Sequence, residues 1–255
     1  SFYVDAVRGK PDGAGTQADP TTRLSVAIER MKAGDTVFIG EGTYTGSHFL
    51  PGGEEGKPIT LQAWGDAKPV LTATIAYAGP WEKVRDNIYV ADVSALAYKM
   101  DTTNPQVFLD DDALVEARYP NMGPTMDTIM DYRRAVAQAG TDKATLVAPD
   151  DIPSDIGGAT AVVWPGSNGL AGWVAWTSPV ASVEGREIHL GMEIDRNEPV
   201  IGGKAYTPFP GNAFYVTGAL SLLDAPGETF YDRKTGRMYV WLPDGGDPTG
   251  RAIRF

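Results

Sequence analysis

Three groups of residues in this chain carry side chains able to do chemistry. The densest is Asp110-Asp111-Asp112, a run of adjacent carboxylates. Oxygen ligands of this kind suit a hard cation, calcium first. A charged run of this type equally suits a solvated hairpin tip, because aspartate favours turns. The second group is Trp164 and Trp173, separated by a glycine-rich stretch, with Trp176 following. Sugar rings pack their C–H faces on exposed indoles, and a glycine-rich loop can display them. The competing reading is core packing, since Trp173 and Trp176 sit in an alternating strand pattern. The third group is Lys83, Arg85, Arg133, Arg134 and Lys204. Such cations can act as a base toward the α-proton of an acidic sugar, but none stands in a motif and solvation is the ordinary reading.

Other chemistries find little support. Glycoside hydrolysis requires two carboxyl groups across the scissile bond. The 33 acidic residues supply many pairs and composition selects none, so no catalytic residue is assigned. Glu228 and Asp232 flank a hairpin and read as structural hydrogen-bonding groups. His48 and His189 lie far apart, without zinc-ligand spacing and without the partners of a serine triad. No phosphate loop or dinucleotide fingerprint occurs, so no nucleotide cofactor is expected.

Short strands and turns must position these groups. Thirty glycines and nineteen prolines suit many turns rather than long helices. Phe2–Val4 reads as a strand. Leu24, Ala27, Ile28 and Met31 then form one apolar helical face, with Thr21 or Thr22 as N-cap and Gly34 as the stop. Strands are expected at Thr36–Ile39, Ile59–Ala63 and Val70–Thr74, and Val37 and Ile59 are spaced as one rung of a coil would be. From about residue 80 the pattern becomes alternating, with runs at Asn87–Val93, Val107–Leu109, Ala113–Glu116, Ala159–Val163, Trp173–Trp176, Ser182–Leu190 and Ala213–Leu223. Turn signals at Asp110–Asp112 and Glu184-Gly185 imply antiparallel hairpins. Residues 122–158 read as an excursion holding a helix near Thr128–Ala139. Tyr231-Asp232, Lys234-Thr235-Gly236 and Met238–Leu242 make a closing hairpin.

At 255 residues the chain can bury a substantial core. Its 22 basic and 33 acidic residues give a net charge of −11, which argues against a nucleic-acid partner. No apolar run reaches membrane-spanning length, so no membrane partner is expected. Without cysteine there is neither a disulfide framework nor a thiolate metal site. A start at Ser1, directly on the first strand, suggests a leader already removed or otherwise trimmed away, and the absence of cysteine fits a secreted or periplasmic setting.

Several segments together resemble a known family. They are the opening Phe2-Tyr3-Val4-Asp5 with Gly13-Ala14-Gly15-Thr16, Gly34-Asp35-Thr36-Val37-Phe38-Ile39 with Glu41-Gly42-Thr43-Tyr44, and Gly56-Lys57-Pro58-Ile59-Thr60-Leu61. Two more are Glu116-Ala117-Arg118-Tyr119-Pro120-Asn121, and Leu223-Asp224-Ala225-Pro226-Gly227-Glu228 running into Tyr231-Asp232. The order of these segments is similar to that of bacterial right-handed parallel β-helix carbohydrate-active proteins. These are glycoside hydrolases of the β-xylosidase-like kind, with polysaccharide lyases more distant. Thr229 departs from the pattern, standing where an aromatic residue is expected. The resemblance implies a mainly β fold: the start of a right-handed parallel β-helix with an N-terminal capping helix and an inserted antiparallel β-sandwich-like domain. It implies a cap and first coils over residues 1–80, the inserted β-rich domain over 81–225, and a hairpin returning to the helix over 226–255. Catalytic carboxylates are expected on later coils, beyond Phe255. The partner expected is a polysaccharide or oligosaccharide, together with the remainder of a longer β-helix. A hydrolase or its N-terminal part is the first expectation, a non-catalytic carbohydrate-binding module or structural region the second, and a lyase the third.

Overall fold

The computed structural model describes residues 1–96, 105–122, 134–165, 174–195 and 207–255. The described chain divides into two compact units, Ser1–Ala76 and Tyr77–Phe255.

In the first unit the strands are short and parallel. β1 (Phe2–Val4) is followed by α1 (Leu24–Glu29), β2 (Thr36–Ile39), β3 (Thr43–Thr45), β4 (Thr60–Ala63) and β5 (Val70–Thr72). β1, β2 and β4 pair in parallel in that order, and β3 pairs in parallel with β5. Alternation decides the core: Val4, Val37 and Ile39 point inward, where Leu24, Ala27 and Ile28 of α1 and Tyr44 meet them. The helix begins at an Arg23 cap with no side-chain hydrogen bond, instead of at Thr21 or Thr22. Thr21 Oγ1 accepts from the Arg23 N–H and is occupied there. The helix stops at Glu29, and Gly34 takes the left-handed turn that follows, with φ +87°.

β6 (Ala76–Tyr77) lies at the boundary between the units. Beyond it come β7 (Glu82–Arg85), β8 (Ile88–Asp92), β9 (Phe108–Leu109), β10 (Asp112–Ala113), β11 (Val115–Glu116) and β12 (Arg118–Tyr119). The chain continues through β13 (Ala135–Val136), β14 (Thr145–Val147), β15 (Thr160–Trp164), β16 (Trp176–Glu184), β17 (Glu187–Leu190) and β18 (Ala213–Thr217). It closes with β19 (Glu228–Asp232), β20 (Arg237–Trp241) and β21 (Ile253–Arg254). Two sheets carry the second unit's core. One has seven strands, with β12, β18, β15, β16, β17 and β14 in that order and β13 on β18. The other has five, in the order β11, β19, β20, β8, β7. The buried cluster runs through Ala161, Val163, Phe214, Val216, Leu222 and Leu223, with Phe230, Tyr239 and Trp241 packed against it.

The expected parallel β-helix is not the fold. Among the described residues the strands fall into five separate sheets, two of them small and parallel and the larger ones mainly antiparallel, and helix is nearly absent. In the seven-stranded and five-stranded sheets the pairs are antiparallel, apart from the parallel β11–β19 pair. The physical cause is the turn chemistry after residue 80, where tight turns reverse the chain and impose antiparallel ladders. Asp86 (φ 43°) and Asp110 (φ 55°) hold two of those turns in the left-handed region. Strands within residues 81–225 share a sheet with strands beyond residue 225, since β8 pairs with β20 and β11 with β19. Within the expected helix near Thr128–Ala139, residues 128–133 lie outside the described residues and Ala135–Val136 is a strand. Ala135 and Val136 stand opposite Phe214 and Ala213 of β18, so sheet pairing overrides local helix propensity.

Candidate functional site

The cleft is built where two separated sequence segments meet. Glu116-Ala117-Arg118-Tyr119-Pro120-Asn121 spans β11, β12 and the cis Tyr119-Pro120 bond. Leu223–Glu228 leads into β19. β11 and β19 pair in parallel, with Val115 opposite Glu228 and Glu116 opposite Thr229. The Ala117 N–H donates to Thr229 O at 2.7 Å, and Asn121 Nδ2 donates to Asp224 Oδ1 at 2.9 Å.

Residues on one side of this joint line a cleft of about 270 Å³. Glu116, Arg118, Tyr215, Thr217, Thr229 and Tyr231 supply its polar groups, with Leu114, Met122 and Met238 among its apolar walls. Thr217 Oγ1 donates to Glu116 Oε2 at 2.8 Å. Burial pushes the Glu116 carboxyl above the ordinary glutamate value, while the Thr217 hydroxyl and the Arg233 charge hold the rise down. Arg118 is 3 % exposed. Its Nε donates to Pro120 O at 3.1 Å, and its guanidinium lies 4.0 Å over the Tyr215 ring.

Glu228 lies on the other side of the joint. Neighbouring residues of a strand face opposite ways, so Thr229 and Tyr231 line the cleft while Glu228 and Phe230 turn inward. Glu228 is 3 % exposed, and its Oε2 accepts from the N–H groups of Asp224 and Ala225, each at 3.2 Å. Burial pushes its carboxyl up to about 7, with those two N–H groups opposing the rise and the Asp224 charge adding to it. Two raised carboxyls are therefore close in the fold without facing one another. They cannot serve as the acid and the base across one bond.

The tryptophans separate by face. Trp164 shares the outer face of the seven-stranded sheet with Tyr215, whose ring centroid is 5.7 Å away. Arg134 lies 4.0 Å over its indole. Trp176 stands opposite Val163 and packs against the buried cluster. Trp173 lies outside the described residues, as do Arg133 and Lys204. Lys83 and Arg85 are exposed on β7, Lys83 lying 5.9 Å over Tyr89.

Asp110 and Asp111 form the tip of the β9–β10 hairpin, and Asp112 is the first residue of β10. Arg254 donates to the Asp110 carbonyl oxygen and pairs with Asp111 Oδ1 at 3.0 Å. Among the described residues no group of three or more His, Asp or Glu side chains is placed to hold a metal. No helix among them is long and apolar enough to cross a membrane.

Sequence reasoning missed the cleft. Glu116, Arg118, Thr229 and Tyr231 all lie in the quoted motifs, but nothing in their spacing shows that residues more than a hundred positions apart pair across one parallel joint. Thr229, the one departure from the motif, is itself a lining residue.

No family model and no curated protein matches the chain. Among solved structures the chain has a fold similar to that of a glycoside hydrolase. A structure titled "Glycoside hydrolase" superposes with a TM-score of 0.66 at 19% identity, covering 99% of this chain and 45% of that one. A second, titled "The complex structure of XylC with xylose", gives a TM-score of 0.44 at 14% identity over 99% of this chain and 31% of that one. The chain thus spans less than half the length of either, and at these identities the first likeness concerns the fold alone.

Proposed function

We propose that this chain is the carbohydrate-recognising portion of a polysaccharide-processing protein of the glycoside hydrolase kind, with a saccharide seated in the Glu116–Tyr231 cleft. The carrying observation is the cleft's composition: hydroxyls, phenols, an amide, a guanidinium and one partly desolvated carboxyl over apolar walls. Sugars require this mixture, since their hydroxyls need paired donors and acceptors and their C–H faces need apolar surface. The glycoside hydrolase likeness of the fold supports it. Glu116 is the one carboxyl among the described lining residues, so the cleft suits recognition better than hydrolysis, which needs two. Hydrolysis, if it belongs to the whole protein, then uses groups beyond this cleft. A secreted or periplasmic setting accords with a polymeric substrate.

Titration calorimetry against a panel of neutral and uronate-bearing oligosaccharides tests this. The expected result is binding to at least one member, weakened about fivefold or more by Tyr231→Ala at unchanged circular dichroism. Absence of binding to every member contradicts it.

A further inference from the structure

Glu228 is buried beneath the joint of β11 and β19, and the cleft does not use it. It is 3 % exposed, and its Oε2 accepts from the Asp224 and Ala225 N–H groups at 3.2 Å each. Oε1 is also buried and has no hydrogen-bond partner among the described residues. The turn that supplies the two donors lies at the surface, with Asp224 and Pro226 exposed, whereas Leu222 and Leu223 before it are buried. That turn also fastens the joint. The Val115 N–H donates to Gly227 O at 2.9 Å, the Ala117 N–H to Thr229 O at 2.7 Å, and Asn121 Nδ2 to Asp224 Oδ1 at 2.9 Å. Thr229, next in the chain after Glu228, lines the cleft.

We propose that Glu228 is a proton-operated latch on the cleft: its neutral carboxyl keeps the Asp224–Gly227 turn and the β11–β19 joint closed, and its ionisation frees both and loosens the Thr229 wall. The device is independent of what the cleft binds. A buried carboxylate with one oxygen unpaired gains by reaching water, and the surface turn is the way out. The neighbours do little to neutralise its charge. On its own turn, Asp224 repels it. From β11, Val115 stands opposite and Glu116 turns to the cleft. From β12, Arg118 offers its backbone N–H, while its guanidinium lies over Tyr215. From β20, the Thr229–Val240 register puts the uncharged Trp241 across from Glu228. The closed joint therefore holds the proton more tightly than the open one, in line with a carboxyl raised from 4.5 to about 7. Opening grows as pH rises from about 4.5 through about 7, the reverse of the order for a carboxylate held by an ion pair.

The test is hydrogen exchange by NMR on the intact chain at about pH 5.5 and about pH 8, with protection factors corrected for intrinsic exchange. The expected result is that protection of the Val115 and Ala117 amides falls about tenfold or more between the two, with little dependence on about 1 M urea, the mark of local opening. Glu228→Gln, which cannot ionise, is expected to keep that protection at both pH values. Asp224→Asn removes the repelling charge and keeps an acceptor for Asn121. It is expected to shrink the fall severalfold, so the test stands should the glutamine variant not fold. Protection unchanged with pH at the two amides overturns the proposal. So does exchange at the two amides as urea-dependent as at the β16–β17 amides, because the unit would then be unfolding as a whole and not at the joint.

Discussion

Among the described residues of the second unit Glu228 has the most strongly raised carboxyl, and its titration is a direct probe of the joint beneath the cleft. Its carboxyl rises from an ordinary 4.5 to about 7. The folded state holds that proton more tightly than the unfolded state. Its stabilising contribution is therefore complete below about pH 4.5 and is lost as pH rises through about 7, an effect of about 3 kcal/mol at most. Glu228→Gln keeps an acceptor for the Asp224 and Ala225 N–H groups and removes the buried charge. The variant is expected to match the native protein in urea near pH 5 and to exceed it near pH 8 by about 2 kcal/mol. An unaltered pH dependence would place the titrating group elsewhere. The tryptophans give a second contrast at this scale. Trp176→Ala should cost about 2–3 kcal/mol, because it leaves a cavity against Val163 and its neighbours. Trp164→Ala should cost less stability and more sugar affinity. Equal thermal denaturation shifts for both would contradict the division by face.

At the scale of elements, hairpin tips and strand joints divide the roles. The aspartate run is a turn, with Asp110 in the left-handed region at φ 55°. A β-branched residue resists that region, so Asp110→Val should lower stability by about 1–2 kcal/mol in a urea titration. Millimolar calcium should leave the melting temperature unchanged, and a clear rise would restore the cation reading of Asp110–Asp112. Much of this level was legible in the sequence. The turn signals at Asp110–Asp112, Glu184-Gly185 and Lys234-Thr235-Gly236 lie between alternating runs, and the structure has a hairpin at each. The expected parallel β-helix rested on segment resemblance, whereas after residue 80 local turns set the hairpins and nonlocal register sets pairs such as β15–β18 and β8–β20. The cleft was hidden for a different reason. Glu116 and Thr229 belong to separate motifs, and their pairing is a nonlocal register that local periodicity does not encode.

At the scale of the whole molecule, the second unit is a single structural commitment. β8 pairs with β20 and β11 with β19, so strands before residue 117 depend on strands after residue 227. Phe230, Tyr239 and Trp241 also close the buried cluster that Ala161, Phe214 and Val216 begin. A fragment ending at residue 225 is therefore expected to lose cooperative thermal unfolding, whereas a fragment of residues 77–255 is expected to keep it. A cooperative transition in the shorter fragment would contradict this dependence. The same joint holds the cleft, so the proposed sugar recognition depends on the folding of the unit. The most direct check is an amide-resolved NMR titration of the intact chain with trigalacturonate and xylotriose. The account predicts saturable shifts centred on Glu116, Thr217, Thr229 and Tyr231 with at least one of the two sugars. Shifts confined to other residues, or none with either sugar, would contradict it.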